Sequence, residues 1–326
     1  MDRLQLDKNA KLTGRVYFKD EVMWLGLSGS GASFTFDGTK LVLKLKGDNI
    51  AVGENPIDYA RIAVYVDGKR VVDEMIDCAE KEVTVIDHTE NAQSVVEIIK
   101  LSESPMSAVG VEAFTEGSAE ALPEKPLKIE FIGDSITCGY GVDDEDENHQ
   151  FTTATEDVTK AYAYKTAKAL DAEYSMFSAS GYGIVSGYTE GDEPISEQTI
   201  PQFYCSYGFS RGNFAGTAPQ DIPWDFSKYI PQIIVINLGT NDDSYCRDYE
   251  DKQAVFSKLY ADFLAVVREK NPQAYILCTV GIMGERIFPA VEEGIKIYLK
   301  SHADSKISSM TVSYTHLRAH ETLANL

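Results

Sequence analysis

Three short stretches of this 326-residue chain carry groups suited to acyl transfer. They are Gly133-Asp134-Ser135-Ile136-Thr137, Ser180-Gly181-Tyr182-Gly183 and Gly239-Thr240-Asn241-Asp242. The first supplies a hydroxyl at Ser135, the second a backbone N–H at Gly181, and the third a side-chain amide at Asn241. Acyl transfer needs that set: a nucleophile, and donors aimed where a tetrahedral oxyanion develops. Taken singly, each stretch also has a plainer reading. Asp134 or Ser135 caps a following helix, Gly181 permits a tight turn, and Asn241 satisfies local backbone groups. The spacing Gly181-x-Gly183-x-x-x-Gly187 invites a dinucleotide-loop reading as well. It follows a second strand rather than a first, and no strand-end acid follows ~20 residues on, so that reading is set aside.

The elements that must position these groups read as two patterns. Over residues 1–118 apolar and polar residues alternate: Phe34 and Phe36; Leu41, Leu43 and Leu45; Ile62, Val64 and Val66; Val83 and Val85. Asp37-Gly38, Gly47-Asp48-Asn49 and Asp67-Gly68-Lys69 carry hairpin-turn chemistry between these runs. Seven or eight short strands in this length predict an antiparallel β-sandwich. Residues 119–126 (AEALPEKP) read as a linker. From 127 to 312 strand and helix alternate, which predicts an α/β domain with a parallel sheet. Strands are expected at Leu127–Ile132, Tyr174–Phe177, Gln232–Leu238, Ala274–Val280 and Lys306–Val312. Helices are expected at Val158–Leu170, Tyr249–Lys270 and Ile287–Ser301, the second with Val255, Leu259, Phe263, Val266 and Val267 on its apolar stripe. Residues 185–231 are long, aperiodic and rich in Gly, Pro and aromatics, as functional insertions are. In an open α/β sheet ligands bind at the carboxyl ends of the strands, and all three chemical stretches fall there.

Composition excludes several classes. Hydrophobic residues make up 44% and charged residues 25%, as in ordinary globular domains. The net charge of −21 repels phosphate backbones and anionic lipids, so neither nucleic acid nor a membrane surface is an expected partner. No apolar run approaches the ~18 residues that span a bilayer, and residues 1–7 show no signal-peptide pattern. The cysteines, Cys78, Cys138, Cys205, Cys246 and Cys278, are odd in number and widely spaced, which favours a reducing, cytoplasmic setting. Neither HExxH nor paired CxxC spacing occurs, so no metal and no cofactor is expected. Asp143–Glu147 only superficially resembles a calcium loop, since His149 stands where the glycine is required.

The three stretches together, IGDSIT, SGYG and LGTND, each at a strand end and in that order, resemble the SGNH (GDSL) hydrolase superfamily. That resemblance implies a three-layer α/β/α flavodoxin-like domain over 127–312. It makes Ser135 the nucleophile, and places the Gly181 N–H and the Asn241 amide with the Ser135 N–H in an oxyanion hole. Gly14-Arg15-Val16, Trp24 to Gly31, Tyr65 to Gly68 and Thr137 to Gly141 are in turn similar to the family 2 carbohydrate esterases. This second resemblance implies an N-terminal jelly roll and removal of acetyl groups from mannan, glucomannan, xylan or their oligosaccharides.

A serine hydrolase also needs a base. The superfamily carries a histidine after its last strand, usually as Asp-x-x-His, and no such spacing occurs after residue 280. His302 falls on a helix end, His149 in the acidic loop and His88 in the sandwich. His316 and His320 lie in 313–326, a stretch that reads as a non-native tail resembling translated sequencing adapter, so the native base is expected to be missing from the chain as given. Among the aromatics, Trp24, Trp224, Tyr204 and Tyr207 are each expected to pack, with stacking on a sugar ring the alternative. Of the four, Tyr204 and Tyr207 have the better claim to a sugar-binding cleft. Cys138 reads as packed. Two rival functions stay open: a lipase or thioesterase of the same superfamily, and a catalytically silent carbohydrate-binding protein.

Overall fold

The computed structural model describes residues 1–53, 57–146 and 148–312. By contacts the chain forms two compact units. One comprises 1–126, 138–176 and 206–224; the other comprises 127–137, 177–205 and the residues from 225 onward.

The first unit is built on strands β1 (Asp2–Leu4), β2 (Lys11–Thr13), β3 (Val16–Lys19), β4 (Val22–Leu25), β5 (Gly31–Gly47), β6 (Ala60–Val66), β7 (Lys69–Ile76), β8 (Glu80–Lys100) and β9 (Val109–Ala121), with a one-turn helix α1 (Leu6–Asn9). All of its ladders are antiparallel. The order is β3-β4-β9-β5-β8-β6-β7, with β1 on β9 and β2 on β5, so nine strands stand where seven or eight were expected. Asp67 and Gly68 form the predicted two-residue turn between β6 and β7, both at positive φ (51° and 77°).

Asp37-Gly38 is not a turn. β5 runs through it unbroken, and Gly38 lies opposite Gly117 of β9, where a Cβ would collide with the Glu116 carbonyl. The glycine serves a close approach of two backbones rather than a reversal. Just beyond it the register of β5 against both β8 and β9 slips between Gly38 and Lys40. Thr39 is therefore a bulge, and a bulge shifts the parity of the strand. That shift lets Phe34 and Phe36 on one side of it, and Leu41, Leu43 and Leu45 on the other, all enter one core without exposure.

β9 extends through Ala121, into the stretch read as a linker, because residues 117–121 pair with Phe34–Gly38 of β5. Residues 206–224 belong to the first unit through aromatic packing. Trp24 stacks on Phe214 with centroids 4.6 Å apart, and Tyr207 donates its hydroxyl to the Trp24 carbonyl at 2.7 Å. Buried Arg15 donates to the Ser206 carbonyl at 2.5 Å and lies over the Trp224 ring.

The second sheet comprises β10 (Lys128–Gly133), β11 (Glu173–Ser178), β12 (Ile233–Asn237), β13 (Tyr275–Val280) and β14 (Ile307–Thr311) in the order β11-β10-β12-β13-β14, parallel from β10 to β14. Numbered from β10, this is the doubly wound order 2-1-3-4-5 of flavodoxin-like sheets. The fold class is the expected one, an antiparallel sheet domain followed by a parallel-sheet α/β domain. Six helices accompany the sheets among the described residues: α1, α2 (Ser135–Cys138), α3 (Tyr162–Ala169), α4 (Thr240–Cys246), α5 (Glu250–Lys270) and α6 (Phe288–Ser301).

Three details differ from the sequence reading. The helix expected from Val158 begins as a 3-10 turn, with Asp157 accepting from Thr159 N, and the α-helix starts only at Tyr162. The buried stripe of α5 is Phe256, Tyr260, Phe263, Leu264 and Val267, whereas Val255 and Leu259 face water. The LGTND stretch, read as a loop, opens into helix α4.

Candidate active site

Three neighbouring strands deliver the three chemical stretches to one edge of the second sheet. Gly133, the last residue of β10, is the register partner of Asn237, the last residue of β12. The Gly133 carbonyl accepts from Ala179 N, just past β11, at 3.3 Å. Ser135 follows Gly133 by two residues, Gly181 follows Ala179 by two, and Asn241 follows Asn237 by four.

Ser135 is half-buried and opens α2. Asp134 accepts from Ile136 N at 3.1 Å, and its carbonyl accepts from Thr137 N at 3.0 Å, so the capping reading and the chemical reading hold together. A Cβ at Gly133 would collide with Thr137 Oγ1, so the strand-to-helix turn closes only on glycine. Asp134 is fully buried, and its Oδ2 accepts no hydrogen bond among the described residues. Burial, reinforced by the charge of Asp242, raises its pKa to about 7.

Gly181 has φ of 79°, a conformation costly for any side chain, and no atom lies within 4 Å of where a Cβ would project. Its loop touches the third stretch directly. Asn241, buried in the first turn of α4, donates Nδ2 to the Tyr182 carbonyl at 2.8 Å. The next residue, Asp242, holds the loop further along. Its Oδ1 accepts from Ile184 N, Val185 N and Ser186 N at 3.0, 2.6 and 3.1 Å, and its Oδ2 from Ile184 N at 2.9 Å. Gly183 has no room for a Cβ because that carboxylate and the Ser186 carbonyl fill the space. Burial raises the Asp242 pKa to about 6 against the opposing effect of these N–H groups. Sequence reasoning passed over Asp242. In sequence an acid in the first turn of a helix looks the same whether it faces water, as helix-dipole chemistry favours, or closes a buried loop.

Two of the described histidines have partners of their own. His149 Nδ1 lies 2.9 Å from Asp144 Oδ1, and His302 stacks on Tyr298 while its Nδ1 lies 3.0 Å from the Tyr298 carbonyl. His88 is exposed on β8. His316 and His320 lie outside the described residues. Tyr204 and Tyr207 are not cleft aromatics: both are fully buried, one against Phe177, Phe226 and Phe263, the other against Tyr17 and Phe214. Cys138 is buried, with Sγ 4.0 Å from Glu103 Oε2. Glu103, Cys138 and Glu156 bring three metal-capable atoms within 4.8 Å. The buried Lys100 ammonium, bonded to the Ser102 and Glu103 carbonyls, already supplies positive charge at that cluster. No described helix is long and apolar enough to cross a membrane.

Residues 131–300, more than half of the chain, match the GDSL-like lipase/acylhydrolase family. The chain belongs to this family. Residues 12–126 of this GDSL-family protein match the carbohydrate esterase 2 N-terminal family. Among curated relatives, the cellulase/esterase CelE of Acetivibrio thermocellus is 32% identical over 259 residues, which is 78% of this chain and 29% of CelE. The chain thus spans under a third of that relative's length. An acetylxylan esterase/glucomannan deacetylase of Cellvibrio japonicus is 28% identical over 282 residues, covering 84% of this chain and 72% of the relative. Among solved structures, an acetyl xylan esterase from the rumen bacterium Butyrivibrio proteoclasticus superposes with a TM-score of 0.83 at 21% identity, over 96% of this chain and 89% of the other. A family two carbohydrate esterase from Clostridium thermocellum, in complex with cellohexaose, gives 0.76 at 26% identity over 93% and 88%. The two-domain make-up of this GDSL-family chain is that of the family 2 carbohydrate esterases.

Proposed function

We propose that the chain is a carbohydrate O-acetyl esterase that works through Ser135. The observation that carries this reading is the delivery of Ser135, Gly181 and Asn241 to the ends of three neighbouring strands. Ser135 Oγ attacks the acetyl carbonyl, and the developing oxyanion is received by the N–H groups of Ser135 and Gly181 and by Asn241 Nδ2. Asn241 suits that role because its amide has two hydrogens and Tyr182 O takes one, fixing the plane of the group and leaving the other to donate. The sugar hydroxyl departs with a proton, leaving acetyl-Ser135, and water then releases acetate and restores the serine.

The proton is carried in this reading by a histidine from beyond Val312. We read residues 313–326 as a non-native tail, with His316 or His320 as the alternative source of the base. As domains we take an N-terminal one that ends with β9 at Ala121, a linker at 122–126, and 127–312. The substrate class follows from the relatives named acetylxylan esterase/glucomannan deacetylase and from the cellohexaose complex. Acetylated xylan, mannan or glucomannan, or oligosaccharides from them, are neutral and suffer no repulsion from a chain of charge −21. All five cysteines are free thiols, which supports action on oligosaccharides in the cytoplasm.

The test is acetate release from acetylated glucomannan and xylan, with and without Ser135→Ala. The parent should release acetate and the variant none, with an unchanged thermal midpoint. Full turnover by the variant would sink the assignment. Preference for octanoyl over acetyl esters would make the chain a long-chain acylhydrolase. Glycan binding by both forms with no acetate from either would make it a binding protein.

A further inference from the structure

We propose that Asp242 is a positioning residue that sets the donor geometry of the Gly181 loop through the backbone N–H groups its carboxylate receives. The inference rests on the esterase reading for its kinetic consequence and on geometry alone for its structural one. Three consecutive N–H groups, those of Ile184, Val185 and Ser186, converge on this single carboxylate. Such convergence is a nest for an anion, with Asp242 Oδ1 as the common acceptor. The residues on either side of Gly183 are held from one helix. Asn241 binds the carbonyl of Tyr182 and Asp242 binds the amide of Ile184, so α4 grips the loop on an acceptor and on a donor at once. Gly181 lies one residue before this grip and has no side chain of its own to fix it. Its φ of 79° is therefore maintained through its neighbours.

The other ionisable groups facing Asp242 are few. Asp134 approaches from the end of β10, Cys246 from the far end of α4 and Tyr260 from α5, each feeling the Asp242 charge as repulsion. Asp243 is drawn away by Arg286, whose Nε and Nη2 lie 2.9 Å from its two oxygens. No described cation pairs with Asp242. The N–H groups are thus the partners its carboxylate has, and burial outweighs them in raising its pKa to about 6.

Hydrogen exchange reads the loop without needing turnover. In the full chain at pH 7 the protection factors of the 184–186 amides should be lower by about tenfold or more in Asp242→Ala than in the parent. Acetate release should fall about 10–100-fold in kcat with KM little changed. Protection and kcat unchanged in Asp242→Ala would overturn the proposal. If that variant does not fold, Asp242→Asn, a weaker acceptor, decides by the same two readouts. If the exchange results hold while the parent releases no acetate, the loop mechanism stands and the esterase reading fails.

Discussion

Tyr204 donates its phenolic hydrogen to Glu130 Oε2 at 2.7 Å, with both residues buried in the second unit. The same hydroxyl accepts from Asn271 Nδ2 at 2.9 Å, so one oxygen joins β10, the irregular 185–231 segment and the end of α5. Tyr204→Phe keeps the ring packing and deletes this junction. It should cost about 1–3 kcal/mol, because it withdraws partners from a buried carboxylate and a buried amide together. Urea unfolding of the two proteins measures it. An unchanged midpoint would show that the junction adds nothing.

Asn241→Ala should lower kcat for acetyl ester hydrolysis about 10²–10³-fold, the usual cost of one oxyanion donor. KM should move little, since the donor acts on charge that exists only in the transition state. Steady-state kinetics on p-nitrophenyl acetate separate the two parameters. A change confined to KM would place Asn241 in substrate binding instead.

Asp134 and Asp242 should make the fold more stable in mild acid than in mild base. Both pKa values are raised by burial, to about 7 and about 6, above the ordinary value of 3.8. The folded state therefore holds protons that the unfolded chain has released between pH 4 and 7, and stability declines as pH climbs through that window. Thermal midpoints at pH 5 and pH 8 should differ in that direction. Asp134→Asn, which mimics the protonated acid, should narrow the gap by raising the pH 8 value.

Deleting Thr39 should unfold the first unit. Without the bulge, Leu41, Leu43 and Leu45 would turn to the face opposite Phe34 and Phe36, and no single register would bury both sets. Loss of cooperative melting for the deletion, against a mild effect of Thr39→Ala, is the expected pair of results.

The sequence carried the two fold classes because periodicity reports burial, and burial in each unit follows the pleat or the helix turn. It placed Ser135, Gly181 and Asn241 just past strand ends because each apolar strand run gives way there to glycine and polar residues. Asp37-Gly38 misled because glycine has two uses, reversal and close approach, that look alike in one dimension. The α5 stripe was misplaced because Val255 and Leu259 are as apolar as the residues that are buried, and only the packing of the helix chooses between the faces. Tyr204 and Tyr207 kept a claim to a cleft beside the expectation of packing because an aperiodic segment offers no pattern from which to read burial. Asp242 was invisible because its partners are backbone groups more than 55 residues away.

Aromatic residues from 206–224 complete the packing around Trp24 in the first unit. During synthesis the chain grows from its N-terminus at about 5–20 residues per second. Residues 1–126 are therefore made about 80 residues before Tyr207, a wait of roughly 4–16 s. Through that interval Val22, Trp24 and Ala108 lack the cover that Tyr207 and Phe214 will give them. The nascent sandwich presents a greasy patch at the ribosome exit, and a fragment ended at residue 126 would keep that patch for good. Such a fragment should bind chaperones and self-associate where the longer chain does not.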